Sequence, residues 1–361
     1  MKILLLTQDI KGKGGVGNYY NVLKEKFTVD VDLFITGARV DEKGKLQAIL
    51  RFLSDYRRFN RMVKRYDIVH INTSLKGKSF VRDALFSLRS KRFGQKTVVF
   101  FHGWNSRFCR TLDRYLLWLF RWIFFHAEAI IVLSKDFKQT LEGWNYKGRV
   151  YLLSTFVDEN FCDFDIKQVV KQRSAKKELN ILFLARLQRE KGIFEAIKTA
   201  KILMSRYPHI RLTVAGDGPE YINAVNLANS LGLHRIDFLG FVRGKAKKKA
   251  FLNADFYLFP TFYGEGMPTS LIEAMACGLP VISRPVGGIK DMFIQGKMGY
   301  LVDSLHPMDH AEALIRLIED DKLRKSIMLF NHEYVKEHLV AGKILTKLEN
   351  IYYDFFPESV Y

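Results

Sequence analysis

Long apolar runs are missing from this 361-residue chain. The longest, 115–125, is broken by Arg121 and falls well short of the roughly 20 residues that a membrane-spanning helix needs. The opening run Met1-Lys2-Ile3-Leu4-Leu5-Leu6 turns at once to Thr7-Gln8-Asp9, too short for a signal peptide, so the expected location is the cytoplasm. Cysteine is scarce: Cys109, Cys162 and Cys277 are odd in number and far apart, which fits neither a disulfide framework nor a zinc site. The phosphate-loop signatures are thin. Gly12–Gly17 has G-x-G-x-x-G spacing, a weak signal by itself, and Gly77-Lys78-Ser79 lacks the glycine five residues before Gly77 that a P-loop needs, so neither a nicotinamide dehydrogenase nor a P-loop nucleotidase is the expected reading. No recognisable nucleic-acid reader motif is present, so nucleic acid is not an expected partner. The pairs Asp30-Val31-Asp32 and Asp163-Phe164-Asp165 have D-x-D spacing, but one lies at a strand start and the other in a charged linker. Both read as incidental, and no metal is expected.

Acidic residues are thin in the first half. Residues 1–150 hold 29 basic against 13 acidic side chains, whereas 151–361 hold 28 against 25, so the net charge of +19 belongs mostly to the first half. Such a field attracts nucleic acid, anionic lipid headgroups or phosphorylated substrates.

What the chain has is alternation. Short β-rich apolar runs recur at 2–7, 30–35, 67–72, 97–102, 129–133 and 149–153, separated by segments of helical spacing such as Leu50, Leu53, Tyr56, Phe59, Met62 and Val63. After a charged stretch at 158–178, read as a linker, the alternation resumes at 180–185, 211–215, 236–239, 255–259, 281–283 and 300–302. Apolar strands alternating with helices predict parallel sheets covered on both faces. The expected α/β fold has two Rossmann-like doubly wound domains, 1–160 and 161–340, and a C-terminal helix within 341–361. Their ligands belong at the carboxyl ends of the strands, facing a cleft.

The loops at those ends carry the candidate chemistry. Lys11-Gly12-Lys13-Gly14-Gly15-Val16-Gly17-Asn18 is a glycine-rich turn before a helix, where backbone N–H groups can meet a phosphate; an ordinary βα loop reads equally well. His102 ends a strand, placed to hydrogen-bond a ligand or simply to cap the strand. Arg186 and Lys191 flank one loop as two cations suited to a diphosphate. In Gly264-Glu265-Gly266-Met267-Pro268-Thr269-Ser270-Leu271-Ile272-Glu273 the loop carries one glutamate and the early helix a second, with Pro268 read as a first-turn residue. The helix start favours an anion, and the carboxylates suit sugar hydroxyls, a combination that describes a nucleotide-sugar site.

The run G-E-G-M-P-T-S-L-I-E-A-M-A-C-G-L-P-V-I, preceded by R-L-Q-R-E-K-G and A-G-D-G-P-E, resembles glycosyltransferase family 4, retaining enzymes of the GT-B fold, of the bacterial or archaeal surface-polysaccharide type. The resemblance is looser over the first domain, where it rests on Gly14-Gly15-Val16-Gly17, D-I-V-H-I-N at 67–72 and His102-Gly103. It implies a hexosyltransferase that moves a sugar from a nucleoside diphosphate sugar, a UDP-sugar for preference, to a hydroxyl of a glycan or lipid-linked acceptor, without a metal or other cofactor. Arg186 and Lys191 would then bind the donor diphosphate, Glu265 the donor sugar and Glu273 the ribose. Amides of Gly266, Met267, Ser270 and Leu271 would cradle sugar and phosphate, and Gly240, Phe241 and Val242 would border the base. Gly15 and Gly17 would approach the donor from the first domain, His102 would sit near the reacting sugar, and the C-terminal helix would return to the first domain. A non-hydrolysing UDP-sugar 2-epimerase of similar architecture is the alternative.

Two basic segments bear on the acceptor. Residues 49–66 set Phe52, Tyr56, Phe59 and Val63 beside Arg51, Arg57, Arg58, Arg61, Lys64 and Arg65. Residues 107–125 mix Arg107, Arg110, Arg114 and Arg121 with Leu116, Leu117, Trp118, Trp122, Phe124 and Phe125. Basic amphipathic helices with large aromatics suit an anionic membrane surface, here the inner face of the cell membrane, or else their apolar faces merely cover the sheet.

Overall fold

The computed structural model describes residues 1–12, 14–39, 44–75 and 77–356. Lys13 of the glycine-rich turn and the last five residues of the C-terminal segment lie outside them. The chain divides into two compact units, Met1–Thr155 with Ala341–Tyr361, and Phe156–Val340.

The first unit contains strands β1 (Lys2–Thr7), β2 (Asp30–Ile35), β3 (Ile68–Leu75), β4 (Lys96–Trp104), β5 (Ala129–Val132) and β6 (Arg149–Leu152), and helices α1 (Gly15–Leu23), α2 (Lys45–Met62), α3 (Gly77–Arg92), α4 (Ser106–Thr111), α5 (Leu117–Phe124) and α6 (Lys135–Gly143). All six strands are parallel, in the order β2-β1-β3-β4-β5-β6. β1 and β5 are buried almost throughout, as expected of strands covered on both faces. One face is filled with rings from Phe34, Phe59, Phe86, Phe101, Phe120 and Phe124.

The second unit contains α7 (Ile166–Ser174), β7 (Leu179–Leu184), α8 (Ile193–Arg206), β8 (Ile210–Ala215), α9 (Tyr221–Ser230), β9 (Ile236–Gly240), α10 (Gly244–Asn253), β10 (Phe256–Phe259), α11 (Thr269–Ala276), β11 (Val281–Ser283), α12 (Gly288–Met292), β12 (Gly299–Leu301), α13 (Pro307–Glu319) and α14 (Asp321–His338). Its parallel sheet runs β12-β11-β10-β7-β8-β9. Chain direction through the sheet reverses between β7 and β10, and in the first unit between β1 and β3. Open α/β sheets bind ligands at such switch points, outside the carboxyl ends of the strands.

The last helix, α15 (Ala341–Tyr353), belongs to the first unit. Glu349 accepts from the Thr28 backbone N–H at 2.6 Å and its hydroxyl at 2.8 Å, Lys96 Nζ donates to Phe355 O at 2.7 Å, and Tyr352 is fully buried.

Two expectations are corrected, and a third is decided between its two readings. The stretch 158–178 is not an open linker but holds a 3₁₀ turn, Glu159–Phe161, and α7. Asp165 caps α7 through Lys167 N–H, Ile166 and Val170 pack on Met328, and the buried Arg173 guanidinium donates to Cys277 O and Phe251 O. Charged neighbours hid a four-residue apolar spacing. Residues 107–125 are not one helix, because a π-turn, Leu112–Leu116, separates α4 from α5. For 49–66 the structure decides between the two readings of the apolar face, which is turned into the core. Phe59 and Val63 are fully buried, and Phe52 and Tyr56 pack on the same core. A different face is exposed on α2, with Leu46 71% and Leu50 59% accessible beside Ile49 and Leu53, and Tyr115, Trp118 and Trp122 stand out from the segment around α5.

The D-x-D pairs have structural partners. Lys2 Nζ lies 3.5 Å from Asp32, which also accepts from Tyr66 O–H at 2.6 Å. Among the described residues no cluster of three or more His, Cys, Asp or Glu has metal-holding geometry. All three cysteines are free; burial pushes the thiol of Cys162 up to about 11 and that of Cys277 up to about 12, which keeps both protonated.

Candidate active site

In the second unit the loops after β7 and β10 meet at the switch point. A Cβ at Gly192, whose φ is +82°, would stand 2.3 Å from Pro260 O, so only glycine allows the two loops to touch. The N–H groups of Phe262 and Tyr263 both donate to Glu190 O, at 2.9 and 3.0 Å. This contact delivers Lys191, from the 3₁₀ turn before α8, to the loop that carries Glu265. Lys191 Nζ donates to Glu265 Oε1 at 2.6 Å, with side-chain exposures of only 16% and 8%. Thr261 Oγ1 donates to the same oxygen at 3.0 Å, and Nζ lies 4.4 Å from the centre of the Tyr263 ring. Gly287, at φ +52°, completes the cradle: a Cβ there would fall 1.7 Å from Glu265 O. Arg186 follows β7 in the same loop as Lys191 and is exposed.

Helix α11 begins one residue later than expected. Pro268 stands at its N-cap with extended backbone (ψ 120°), not in the first turn. Of the four amides expected to cradle an anion, that of Leu271 is already engaged, donating to Pro268 O at 3.1 Å. Ser270 lies in the first turn with its Oγ 2.8 Å from the Tyr257 hydroxyl, Met267 is largely buried, and Gly266 O accepts from Gly288 N–H. Glu273 is buried at this helix and takes Lys247 Nζ on Oε1 at 2.6 Å, while Oε2 has no hydrogen-bond partner among the described residues. Burial pushes its carboxyl above the usual carboxylate range, against the opposing pull of Lys247. Gly240 closes β9 at φ +64°, followed by half-exposed Phe241 and by Val242.

In the first unit the glycine-rich turn divides by role. Gly15 is exposed with open space where a Cβ would stand, so close approach by a ligand is unobstructed. Gly17 is buried, and its Cβ would collide with Asp9 O at 2.4 Å; packing, rather than a ligand, requires this glycine. His102, at the carboxyl end of β4, is half-buried under Phe100 and Tyr19, with Nε2 2.8 Å from Asn72 Oδ1. Burial lowers its imidazole to about 3, with His70 adding to the shift, so the ring is neutral at ordinary pH.

Several members of these sites escaped the sequence. Lys247 sits in the run Lys245-Ala246-Lys247-Lys248-Lys249, which reads as a solvated face. Thr261 and Asn72 carry no motif. Gly287-Gly288 after a strand was a usable signal, since a glycine pair there marks a turn or a close backbone approach.

A buried ammonium–carboxylate pair at a sheet switch point, beside a helix start and a second lysine–glutamate pair, can exchange its internal partners for a ligand that carries both phosphate and hydroxyl groups. Comparison with known proteins agrees with that chemistry. The chain is 30% identical over 208 residues to N-acetyl-alpha-D-glucosaminyl L-malate synthase of Bacillus anthracis, covering 56% of this chain and 53% of that protein. It is 27% identical over 245 residues to the capsular polysaccharide biosynthesis glycosyltransferase CapM of Staphylococcus aureus, covering 65% and 64%. The matched stretch thus spans about half to two thirds of the length of these curated relatives. In fold it is similar to Anabaena HepE, crystallised in complex with UDP and glucose, with a TM-score of 0.74 at 19% identity over 97% of this chain and 99% of that one. Residues 30–161 match the model for Glycosyltransferase Family 4, and residues 165–328 match the model for glycosyl transferases group 1. Together the two matches take in more than half of the sequence, and the chain belongs to the family 4 glycosyltransferases, with their GT-B architecture of two Rossmann-like domains.

Proposed function

We propose that the protein is a retaining glycosyltransferase that moves a sugar from a UDP-sugar to a hydroxyl of a glycan or lipid-linked acceptor, without a metal. The observation that carries this reading is the Lys191–Glu265 pair at the switch point between β7 and β10. Breaking the sugar–phosphate bond develops negative charge on the diphosphate and positive charge on the ring. Lys191 and Arg186 meet the first, the α11 N-terminus adds its dipole, and Glu265, held by Thr261, meets hydroxyls of the sugar. Glu273, with acceptor capacity left at Oε2, suits the ribose. The leaving β-phosphate oxygen takes the acceptor's proton as the new bond forms on the same face, so no side chain is assigned as base. The structure of HepE with UDP and glucose, and the sugar-transfer names of the relatives, support transfer over the epimerase alternative.

The test is thermal unfolding against UDP, GDP, ADP and their sugar conjugates with EDTA present. A ligand that binds only the native state stabilises it by about 2.7 kcal/mol at a hundredfold excess over its dissociation constant. A rise in midpoint with UDP, and a smaller rise for Lys191→Ala measured against its own ligand-free midpoint, is the expected result; no rise with any nucleotide overturns the reading.

The same proposal places the basic first unit on the acceptor side, against an anionic membrane surface. Its support is the exposed apolar row Leu46, Ile49, Leu50 and Leu53 on α2, with Trp118 and Trp122 on α5, in a unit rich in Lys and Arg.

A further inference from the structure

Two donors share one oxygen of Glu265. Lys191 Nζ reaches Oε1 at 2.6 Å and Thr261 Oγ1 at 3.0 Å, while Oε2 takes no hydrogen bond among the described residues. The two donors differ in what else they can do. Lys191 has a flexible stem and three ammonium hydrogens, and in the transferase reading it is drawn by the donor diphosphate, whose charge exceeds that of one carboxylate. Thr261 is fully buried just after β10 and has no such second partner to follow.

The hydroxyl hydrogen of Thr261 can be assigned. Besides Glu265 Oε1 it lies near one other acceptor, Glu190 O, at 3.2 Å. Both lone pairs of that carbonyl are already used, by the N–H groups of Phe262 and Tyr263 at 2.9 and 3.0 Å. The hydrogen therefore goes to Glu265, and the Thr261 oxygen accepts a share of Tyr263 N–H at 3.2 Å. Backbone bonds pin both ends of the contact: Thr261 N–H donates to Phe259 O at 2.8 Å, and Glu265 N–H to Tyr263 O at 2.7 Å. Hydroxyl and carboxylate thus sit four residues apart on one fixed loop, whereas Lys191 comes from another. Like charges repel, so a carboxylate beside a diphosphate turns away unless something holds it. A neutral hydroxyl can do so without being drawn to the phosphate itself.

We propose that Thr261 is the positioning residue that carries Glu265 through donor binding: when the diphosphate draws Lys191 away, the Thr261 hydroxyl alone holds Oε1, so that Oε2 stays turned to a hydroxyl of the donor sugar. Lys191 then answers to phosphate, and Thr261 keeps the sugar side in order. The exchange with the donor rests on the transferase reading above; the bond between hydroxyl and carboxylate does not.

The test is a double-mutant cycle in binding. From a panel of UDP-sugars, the one that the wild type binds most tightly is titrated by calorimetry into the full-length wild type, Thr261→Val, Glu265→Ala and the double variant. Thr261→Val keeps the shape of the side chain and removes the hydrogen bond. It is expected to weaken binding about tenfold, the scale of a hydrogen bond to a charged group. In the Glu265→Ala background the same substitution is expected to change affinity by less than about twofold, since a positioning residue acts only through the residue that it positions. Thr261→Ser returns the hydroxyl and is expected to recover most of the affinity, and Thr261→Ala takes its place in the cycle should the valine variant fail to fold. An equal loss in both backgrounds, which a merely structural role for the loop would give, overturns the proposal, as does unchanged affinity in Thr261→Val or no recovery in Thr261→Ser. Denaturant unfolding without nucleotide reads the bond itself: the losses from Thr261→Val and Glu265→Ala are expected to be less than additive, and additive losses overturn the proposal too. If the wild type binds no UDP-sugar, the transferase reading fails instead, and the unfolding cycle still decides whether Thr261 holds Glu265.

Discussion

Lys191 and Glu265 show how far single residues could be read. Both stood out as candidates, one as a cation that would suit phosphate and the other as a carboxylate that would suit sugar hydroxyls, yet nothing in their spacing of 74 positions indicates that they bond to each other. Breaking a pair this well buried leaves an uncompensated charge. Lys191→Met is therefore expected to destabilise the fold by about 3 kcal/mol in denaturant unfolding, and adding Glu265→Gln to recover most of the loss. Gly287→Ala meets both a positive φ and the Glu265 carbonyl. It is expected to cost about 2 kcal/mol or more and to weaken the UDP-induced rise in midpoint, because it displaces Glu265 itself. The histidines give a pH dependence. His70 and His102 protonate at about 3 in the folded chain but near 6.5 when unfolded. Between those limits the unfolded state binds protons that the native state refuses. Stability is therefore whole above about pH 6.5 and is lost as pH falls toward 3, by about 1.4 kcal/mol per pH unit for each ring at most. Denaturant midpoints measured between pH 7 and pH 5 check this, and His70→Gln should flatten the slope.

Elements were more legible than partners. Among the described residues eleven of the twelve strands stand within two residues of their expected positions, and β3 runs three residues past its expected end, because a strand buried on both faces advertises itself as a short apolar run between turn signals. Helix faces were harder. By its pattern the apolar row Phe52, Tyr56 and Phe59 of α2, continued by Val63, suits either a membrane or the sheet, and it packs into the core; the row Leu46, Ile49, Leu50 and Leu53 is the one left in solvent. Periodicity identifies an amphipathic helix, but a helix with two apolar rows needs the sheet in place to decide which one is covered. The exposed rows predict that vesicles containing phosphatidylglycerol sediment the protein at low salt while neutral vesicles do not. Leu50→Glu together with Trp118→Glu is expected to abolish the sedimentation without lowering the thermal midpoint, since both side chains are more than half exposed. Sedimentation unchanged by the pair would remove these faces from the membrane proposal.

At the scale of the whole molecule, the chain completes its first unit last. Helix α15 is 185 residues of second unit away from Thr155, yet it carries Glu349 to Thr28 and Tyr352 to His70. Its backbone should accordingly exchange hydrogen with the protection of β1 and β3, not on its own and not with the second unit; α15 amides that exchange far faster than those of β1 would contradict this.

Sequence alone determined the class of the fold, its two doubly wound halves, the strand positions and the identity of the loops that hold Arg186, Lys191, Glu265 and His102. These follow from local periodicity and from glycine and charge placed beside strand ends, which act over a few residues. Only tertiary structure decided that 158–178 folds into a packed helix, that a side chain at Gly17 would strike Asp9, that Lys247 holds Glu273, and that Tyr352 of the last helix reaches His70. Those are contacts between residues far apart in the chain, and which of many chemically equivalent partners meet is set by the packing of the sheets, not by any local pattern.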